Sequence, residues 1–263
     1  VCCSFHNRSE TRAPIANTTS KNGVANQNST NGDLDDGLQD VTNHPNLKLL
    51  PKFCGTAETD KIVGGNRTQL YEMPWMVILS YDEGGVITPG CGGTLISKRY
   101  VLTAAHCVRP SGGKVLVGVT LGEHDRRTDP DCEVLKEKTS CASRVVNATI
   151  EEVISHPGYK KEKFLSSDDI ALIRLARPAN FNIRWGITEN KVQSQVLLKD
   201  MDACGGDSGG PFMYPGLLGS GGVRMVQRAV VSFGPRSCGN GVLPGVYTRL
   251  SHYMKWILDN MRS

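Results

Sequence analysis

From Lys61 onward the chain is a series of short apolar runs, "PWMVILSY", "CGGTLIS", "YVLTAAH", "DIALIRL", "RMVQRAVVSF" and "PGVYTRL", cut apart by Gly, Pro and Asp. Runs of this length between turn-forming residues predict many short β-strands, and such strands bury their apolar faces by closing into a barrel or stacking into a sandwich. Only the last stretch, "YMKWILDN", places its apolar residues Tyr253, Trp256 and Ile257 at helical spacing, so one C-terminal helix is expected. The fold class read from this pattern is all-β with a C-terminal helix.

The first 53 residues have another texture. They are rich in Asn, Thr, Ser, Gly and Asp and poor in residues that could be buried, which predicts a flexible linker. The chain opens at Val1 without Met or an apolar leader and reads as processed or truncated. With 263 residues, 39% of them hydrophobic, there is enough material for one large core or two smaller ones. The net charge of +4 is scattered, which argues against a nucleic-acid partner or a membrane surface, and no run approaches the roughly 18 apolar residues of a spanning helix.

Nine cysteines without a CxxC pair favour disulfides over a metal, hence an oxidising compartment. Five Asn-x-Ser/Thr sequons, at Asn7, Asn17, Asn28, Asn66 and Asn147, agree with a secreted, extracellular glycoprotein.

Taken alone, the Ser in "GDSGGP" fits a tight turn as well as a reaction centre. Nucleophilic chemistry at a Ser requires a base for its proton, a carboxylate to orient the base, and backbone N–H groups for the oxyanion. "TAAHC" supplies His106, "DDIAL" supplies Asp168 or Asp169, and "GGDSGG" supplies Ser208. In this chain order the three motifs resemble the chymotrypsin/trypsin family of serine proteases. The resemblance implies two antiparallel six-stranded β-barrels, with Ser208 as nucleophile, His106 as general base and then acid, and Asp169 as the buried orienting carboxylate. Asp168 would be its solvent-facing neighbour, and the N–H groups of Gly206 and Ser208 would form the oxyanion hole.

By the same resemblance Asp202, six residues before the nucleophile, lies at the floor of a pocket that pairs with Arg or Lys of a protein substrate. Gly234 and Gly245 keep that pocket open, and Ser232, within "VSF", belongs to the strand that pairs with substrate backbone. Cleavage between Lys61 and Ile62 would free an amine that pairs with Asp207, so the chain as written is a zymogen that awaits an upstream protease. Cys91–Cys107, Cys132–Cys141 and Cys204–Cys238 would be disulfides. The paired cysteines Cys2 and Cys3, the polar linker and Cys54 before the cut site resemble the clip-domain proteases of arthropods, which implies an extracellular cascade and inhibition by a serpin. The implied organisation is 1–53 clip remnant and linker, 54–61 the end of the pro-segment, and 62–263 the protease domain. No cofactor and no metal is expected. Around Glu123, "GEHDRRTDPDCE" stands where some relatives bind calcium, but it is read as a solvated loop, and Arg126–Arg127 as an exposed nick site.

One segment does not fit. Only 25 residues, Arg177 to Met201, separate the Asp motif from the nucleophile loop. The family places three strands of the second barrel there, and three strands with turns take roughly 30 residues. An internal deletion around 183–200 is therefore expected, leaving Cys54 without its interdomain partner. A second barrel short of strands loses support for the pocket, so low or no activity is the expectation for this chain. The alternative function is an inactive shortened isoform, or an incomplete gene product, that acts by binding if it acts at all.

Overall fold

The structure, a computed structural model, describes residues 2–3, 39–51, 70–135, 138–161, 166–180, 206–217, 223–234 and 245–263. Strand β1 (Cys2–Cys3) is a two-residue strip. The apolar runs of the first half form β2 (Met76–Glu83), β3 (Val86–Leu95) and β4 (Tyr100–Thr103), then the one-turn helix α1 (Ala105–Val108) and β5 (Val115–Leu121). The hairpin of β6 (Cys132–Leu135) and β7 (Lys138–Cys141) follows, with β8 (Val146–Ala148) and β9 (Ile150–Ser155). Next come the short pair β10 (Lys160–Lys161) and β11 (Ser166–Ser167), and then β12 (Ala171–Leu175). The second half holds β13 (Pro211–Leu217), β14 (Val223–Phe233), β15 (Val246–Arg249) and helix α2 (Leu250–Asp259).

The first sheet is antiparallel, in the order β8-β5-β2-β3-β4-β12-β9. Its two outer members, β8 and β9, are separated in sequence by Thr149 alone, one pairing with β5 and the other with β12. The two edges are thus one bent chain segment, and the sheet closes into the expected six-stranded barrel. Closure leaves no free edge for another chain to pair with. Within β2 the inward residues Val77, Leu79 and Tyr81 are buried while Ile78 and Ser80 between them are half-exposed, the alternation a barrel wall requires. In β12 all five residues are buried, because one face lines the barrel and the other lies under the C-terminal segment, where Arg174 donates to the carbonyl of Ser263 at 2.9 Å.

The second sheet runs β13, β14, β15 in antiparallel pairing, with β1 pairing parallel to β14 at Val226 and Gln227, ahead of the stretch that pairs with β15. The segment expected to be shortened, 183–200, lies outside the described residues, as does the Lys61–Ile62 bond. Helix α2 buries Leu250, Met254, Ile257 and Leu258, and the predicted Tyr253 and Trp256 pack against the same core, so the C-terminal helix stands as expected. Among the described residues no helix is long and apolar enough to cross a membrane.

Residues 39–51, read as the end of the flexible linker, are docked instead. Pro45–Leu49 form a 3-10 turn capped by His44, whose ring accepts the Asn46 N–H. Val41 and Leu50 are buried with the main core. The Asn46 side-chain amide donates to the carbonyls of Leu258 and Met261, both at 2.9 Å, and His44 Nε2 lies 3.0 Å from Asp259 Oδ1. Four apolar residues, Val41, Leu47, Leu49 and Leu50, inside a polar stretch are enough to anchor it where carbonyls at and just past the end of α2 accept a further donor.

Candidate active site

His106 stands on α1, directly after the fully buried strand β4. Ala104 and Ala105 are wholly buried, so only small side chains fit at this turn, and the Tyr81 hydroxyl donates to the Cys107 carbonyl at 2.8 Å. The Cys91–Cys107 disulfide, with Cα atoms 5.9 Å apart, ties α1 to β3. His106 is thereby fixed on three sides, with its ring still a quarter exposed toward solvent.

Asp169 lies just before β12 and its side chain is 2% exposed. Its Oδ2 is 2.8 Å from His106 Nδ1, and its Oδ1 accepts the backbone N–H of His106 at 2.9 Å. The buried Ser232 hydroxyl, at the end of β14, also donates to Oδ2 at 2.5 Å, and the Thr248 hydroxyl donates to the Asp169 carbonyl. Burial alone would push the Asp169 carboxyl up, but the hydrogen bonds and charge of His106, with the Ser232 hydroxyl, outweigh it and hold the group below its ordinary value. An ionised carboxylate here fixes the proton of His106 on Nδ1 and leaves Nε2 to act as a base. The side-chain role of Ser232 was not anticipated, since the sequence reading concerned only its backbone.

Ser208 reaches the same cleft from the other sheet. Its carbonyl accepts the N–H of Gly92 at 2.8 Å, Gly209 donates to the Val231 carbonyl at 2.8 Å, and Gly210 closes the turn onto Asp207 at 2.9 Å. Gly209 has φ 77°, and a Cβ on it would lie 2.3 Å from Thr103 Oγ1, 2.5 Å from the Gly92 carbonyl and 3.0 Å from Cys107 Sγ. Only glycine lets the Ser208 turn sit this close to the disulfide beside His106. The Ser208 hydroxyl makes no hydrogen bond to His106; His106 Nε2 lies 3.4 Å from Cys107 Sγ. His106 and Asp169 are joined, while Ser208 is brought to the cleft without its bond to the base. Gly206, with φ 105°, is exposed at the head of the same turn, and Asp207 is buried.

Gly234 is exposed at the end of β14, and Gly245, half-buried, precedes β15. Asp202, Cys204, Cys238, Lys61, Ile62, Asn7, Asn17, Asn28 and Asn66 lie outside the described residues. Asn147 is exposed on β8, its side-chain oxygen accepting from the Thr120 hydroxyl. Cys132 and Cys141 face each other across the β6–β7 hairpin and are disulfide-bonded.

Asp168 faces solvent in part, with 29% of its side chain exposed; its carboxylate also accepts the Tyr253 hydroxyl at 2.8 Å and its backbone is left-handed, φ 53°. One reading requires correction: the acidic loop is not solvated at its base, because Glu123, Asp125 and Asp131 are all under 9% exposed. Asp131 Oδ2 accepts the N–H groups of His124 and Asp125, and burial followed by the nearby Asp131 charge pushes the Glu123 carboxyl up to about 7. Arg126 and Arg127 are exposed at the tip, with Arg127 folded back on Asp125. Among the described residues the one cluster with metal-ligand spacing is Cys91, His106 and Cys107, and its sulfurs are already spent in the disulfide.

The trypsin family's sequence model, described as "Trypsin", matches residues 62–186 and 181–257. Melanization protease 1 of Drosophila melanogaster is 34% identical over 287 aligned residues, covering 84% of this chain and 71% of that protein. Phenoloxidase-activating factor 3 of Holotrichia diomphalia is 36% identical over 80% of this chain and 75% of its own length. The crystal structure of the Drosophila Grass clip serine protease of the Toll pathway superposes with a TM-score of 0.67 at 29% identity, covering 82% of this chain and 77% of that one.

Proposed function

The chain belongs to the trypsin family of serine proteases, and from that premise we propose that it is a secreted zymogen which, once cut after Lys61, hydrolyses peptide bonds after Arg or Lys in an extracellular proteolytic cascade. The observation that carries this reading is the His106–Asp169 pair, buried on its carboxylate side and open on its imidazole side, with the Ser208 turn packed against the same disulfide. Attack would run through Ser208 Oγ, with His106 Nε2 taking its proton and returning it to the leaving amine. Asp169 would keep the ring oriented and stabilise the imidazolium. The N–H groups of Gly206 and Ser208 would receive the oxyanion, where one donor contributes about 3 kcal/mol to the transition state.

Insertion of the Ile62 amine beside buried Asp207 would draw the Ser208 turn into register, because a buried carboxylate is strongly stabilised by a cation. Asp202 would select the substrate's basic side chain. Relatives whose names refer to melanization, phenoloxidase activation and spaetzle processing support a place in such a cascade, with protein substrates and an upstream activating protease; an inhibitory serpin would be a further partner. The five sequons and the disulfides support secretion.

A second reading, a non-catalytic shortened form, is favoured by one observation. The alignment with melanization protease 1 spans 287 positions while 84% of 263 residues is about 221, so about 66 positions of that relative face no residue here. The family match also breaks into two stretches that meet at 181–186. Hydrolysis of Arg-, Lys- and Phe-amide substrates by the chain cut after Lys61, compared with Ser208→Ala, separates the readings. Turnover of the Arg and Lys amides alone, abolished in the variant, supports the protease; a folded, cut chain with no turnover supports the second reading.

A further inference from the structure

Asp168 adopts φ 53°, a conformation that disfavours any L-residue, although Asp and Asn tolerate it best. Two hydrogen bonds hold it there. Its carbonyl accepts the Ile170 N–H at 2.8 Å, closing a tight turn over Asp169. Its carboxylate accepts the Tyr253 hydroxyl of α2 at 2.8 Å. His156, just past β9, lies beside it, its Nδ1 accepting the Gly158 N–H at 3.1 Å. His156 is itself packed edge-on to Tyr253 and tilted against Trp256, and its N–H donates to the Ile170 carbonyl. The space is closed from below by Gly158, where a Cβ would lie 2.8 Å from Asp168 Oδ2.

We propose that Asp168 and Tyr253, with His156 packed against the tyrosine ring, form a positioning clasp through which helix α2 sets the direction of the Asp169 carboxylate toward His106. The inference rests on the assignment of His106 and Asp169 made above. The turn at Asp168 points two consecutive carboxylates in opposite directions: Asp168 to α2 and Asp169 into the barrel wall against His106. Releasing the Tyr253 hydroxyl frees Asp168 to relax to negative φ, which rotates the peptide that carries Asp169. The Asp169 oxygens would then meet His106 Nδ1 and its backbone N–H at poorer angles, and small displacements of a catalytic group are expensive in rate. None of the clasp residues touches the reacting atoms, so they are positioning residues.

The test uses the full chain and a readout that does not depend on turnover: the low-field proton resonance of His106 Nδ1–H, assigned by its loss in His106→Ala. The proposal predicts that the resonance is present in the uncut protein. In Tyr253→Phe and Asp168→Ala it moves upfield and exchanges with water at least about tenfold faster, with melting showing both variants folded. Asp168→Asn, which keeps an acceptor for the hydroxyl and tolerates the left-handed backbone, recovers the resonance. In the cut enzyme kcat falls on the order of tenfold in Tyr253→Phe with KM within about twofold. Folded Tyr253→Phe and Asp168→Ala proteins with an unchanged resonance overturn the clasp. A wild-type chain without the resonance overturns the His106–Asp169 assignment beneath it, and active enzyme with unaltered kcat in Tyr253→Phe overturns the clasp alone.

Discussion

Gly209→Ala is the substitution whose effect follows most directly from the packing of the Ser208 turn. Two separate penalties apply. A non-glycine residue at φ 77° is disfavoured by about 1–2 kcal/mol. The new methyl also meets Thr103 Oγ1 at 2.3 Å and the Gly92 carbonyl at 2.5 Å, atoms locked to each other by a 2.8 Å hydrogen bond and unable to retreat separately. Overpacking of this kind adds about 1–3 kcal/mol. The total of about 2–5 kcal/mol corresponds to a melting temperature lower by roughly 5–15 °C for a domain of this size. Gly206→Ala is the internal control, because its φ is 105° but nothing lies within 4 Å of its added Cβ, so only the conformational penalty applies. Differential scanning calorimetry of the two variants reads the difference. If Gly209→Ala melts no lower than Gly206→Ala, the Ser208 turn is not docked on the first barrel as described here.

Asp169 is held below its ordinary value in the folded chain, so its stabilisation is present above pH 4 and is lost as pH falls through the folded value; Asp169→Asn should flatten the acid limb of a stability-against-pH curve measured by urea unfolding. Glu123 has the opposite sign: with a folded value of about 7 against an ordinary 4.5, the folded state binds the extra proton and stability declines as pH rises between the two. Glu123→Gln should therefore gain about 1–2 kcal/mol over wild type at pH 8, allowing for solvent screening, and little at pH 4.5, in the same assay. Asn46→Ala removes hydrogen bonds to the Leu258 carbonyl of α2 and to the Met261 carbonyl just past it, and should lower stability by about 1–2 kcal/mol while exposing residues 39–51 to faster amide exchange.

The parts of this account legible in the sequence are those written in contiguous residues. "TAAHC", "DDIAL" and "GGDSGG" each carry a side chain together with the turn that presents it, and the alternation in β2 is local as well. What escaped are relations between distant segments. That β8 and β9 are one bent segment closing the barrel depends on pairings with β5 and β12, which no local pattern in "VNATIEEVIS" encodes. Ser232 sits between apolar residues in a strand, and only the fold shows its hydroxyl aimed at Asp169, 63 residues away. Asp168 looked like the outer member of an acidic pair because its partner, Tyr253, lies 85 residues on, across α2. Residues 39–51 were hidden by the Asn- and Asp-rich composition around them, since four apolar side chains suffice when a core surface and carbonyls at the end of α2 that accept a further donor receive them. The buried base of the Glu123 loop was hidden for the same reason, as charge composition does not reveal backbone N–H groups that satisfy Asp131 from within.

The central claim is that this chain, once cut, presents Ser208 as an activated nucleophile despite the shortened segment before it, which on its own argues for low activity. Intact-mass measurement of fluorophosphonate labelling, before and after cleavage between Lys61 and Ile62 and with Ser208→Ala alongside, tests it without any assumption about the natural substrate. The account predicts little labelling of the precursor, one label per cut molecule, and none in Ser208→Ala. A folded, quantitatively cut chain that takes up no label, or a label that persists in Ser208→Ala, contradicts it.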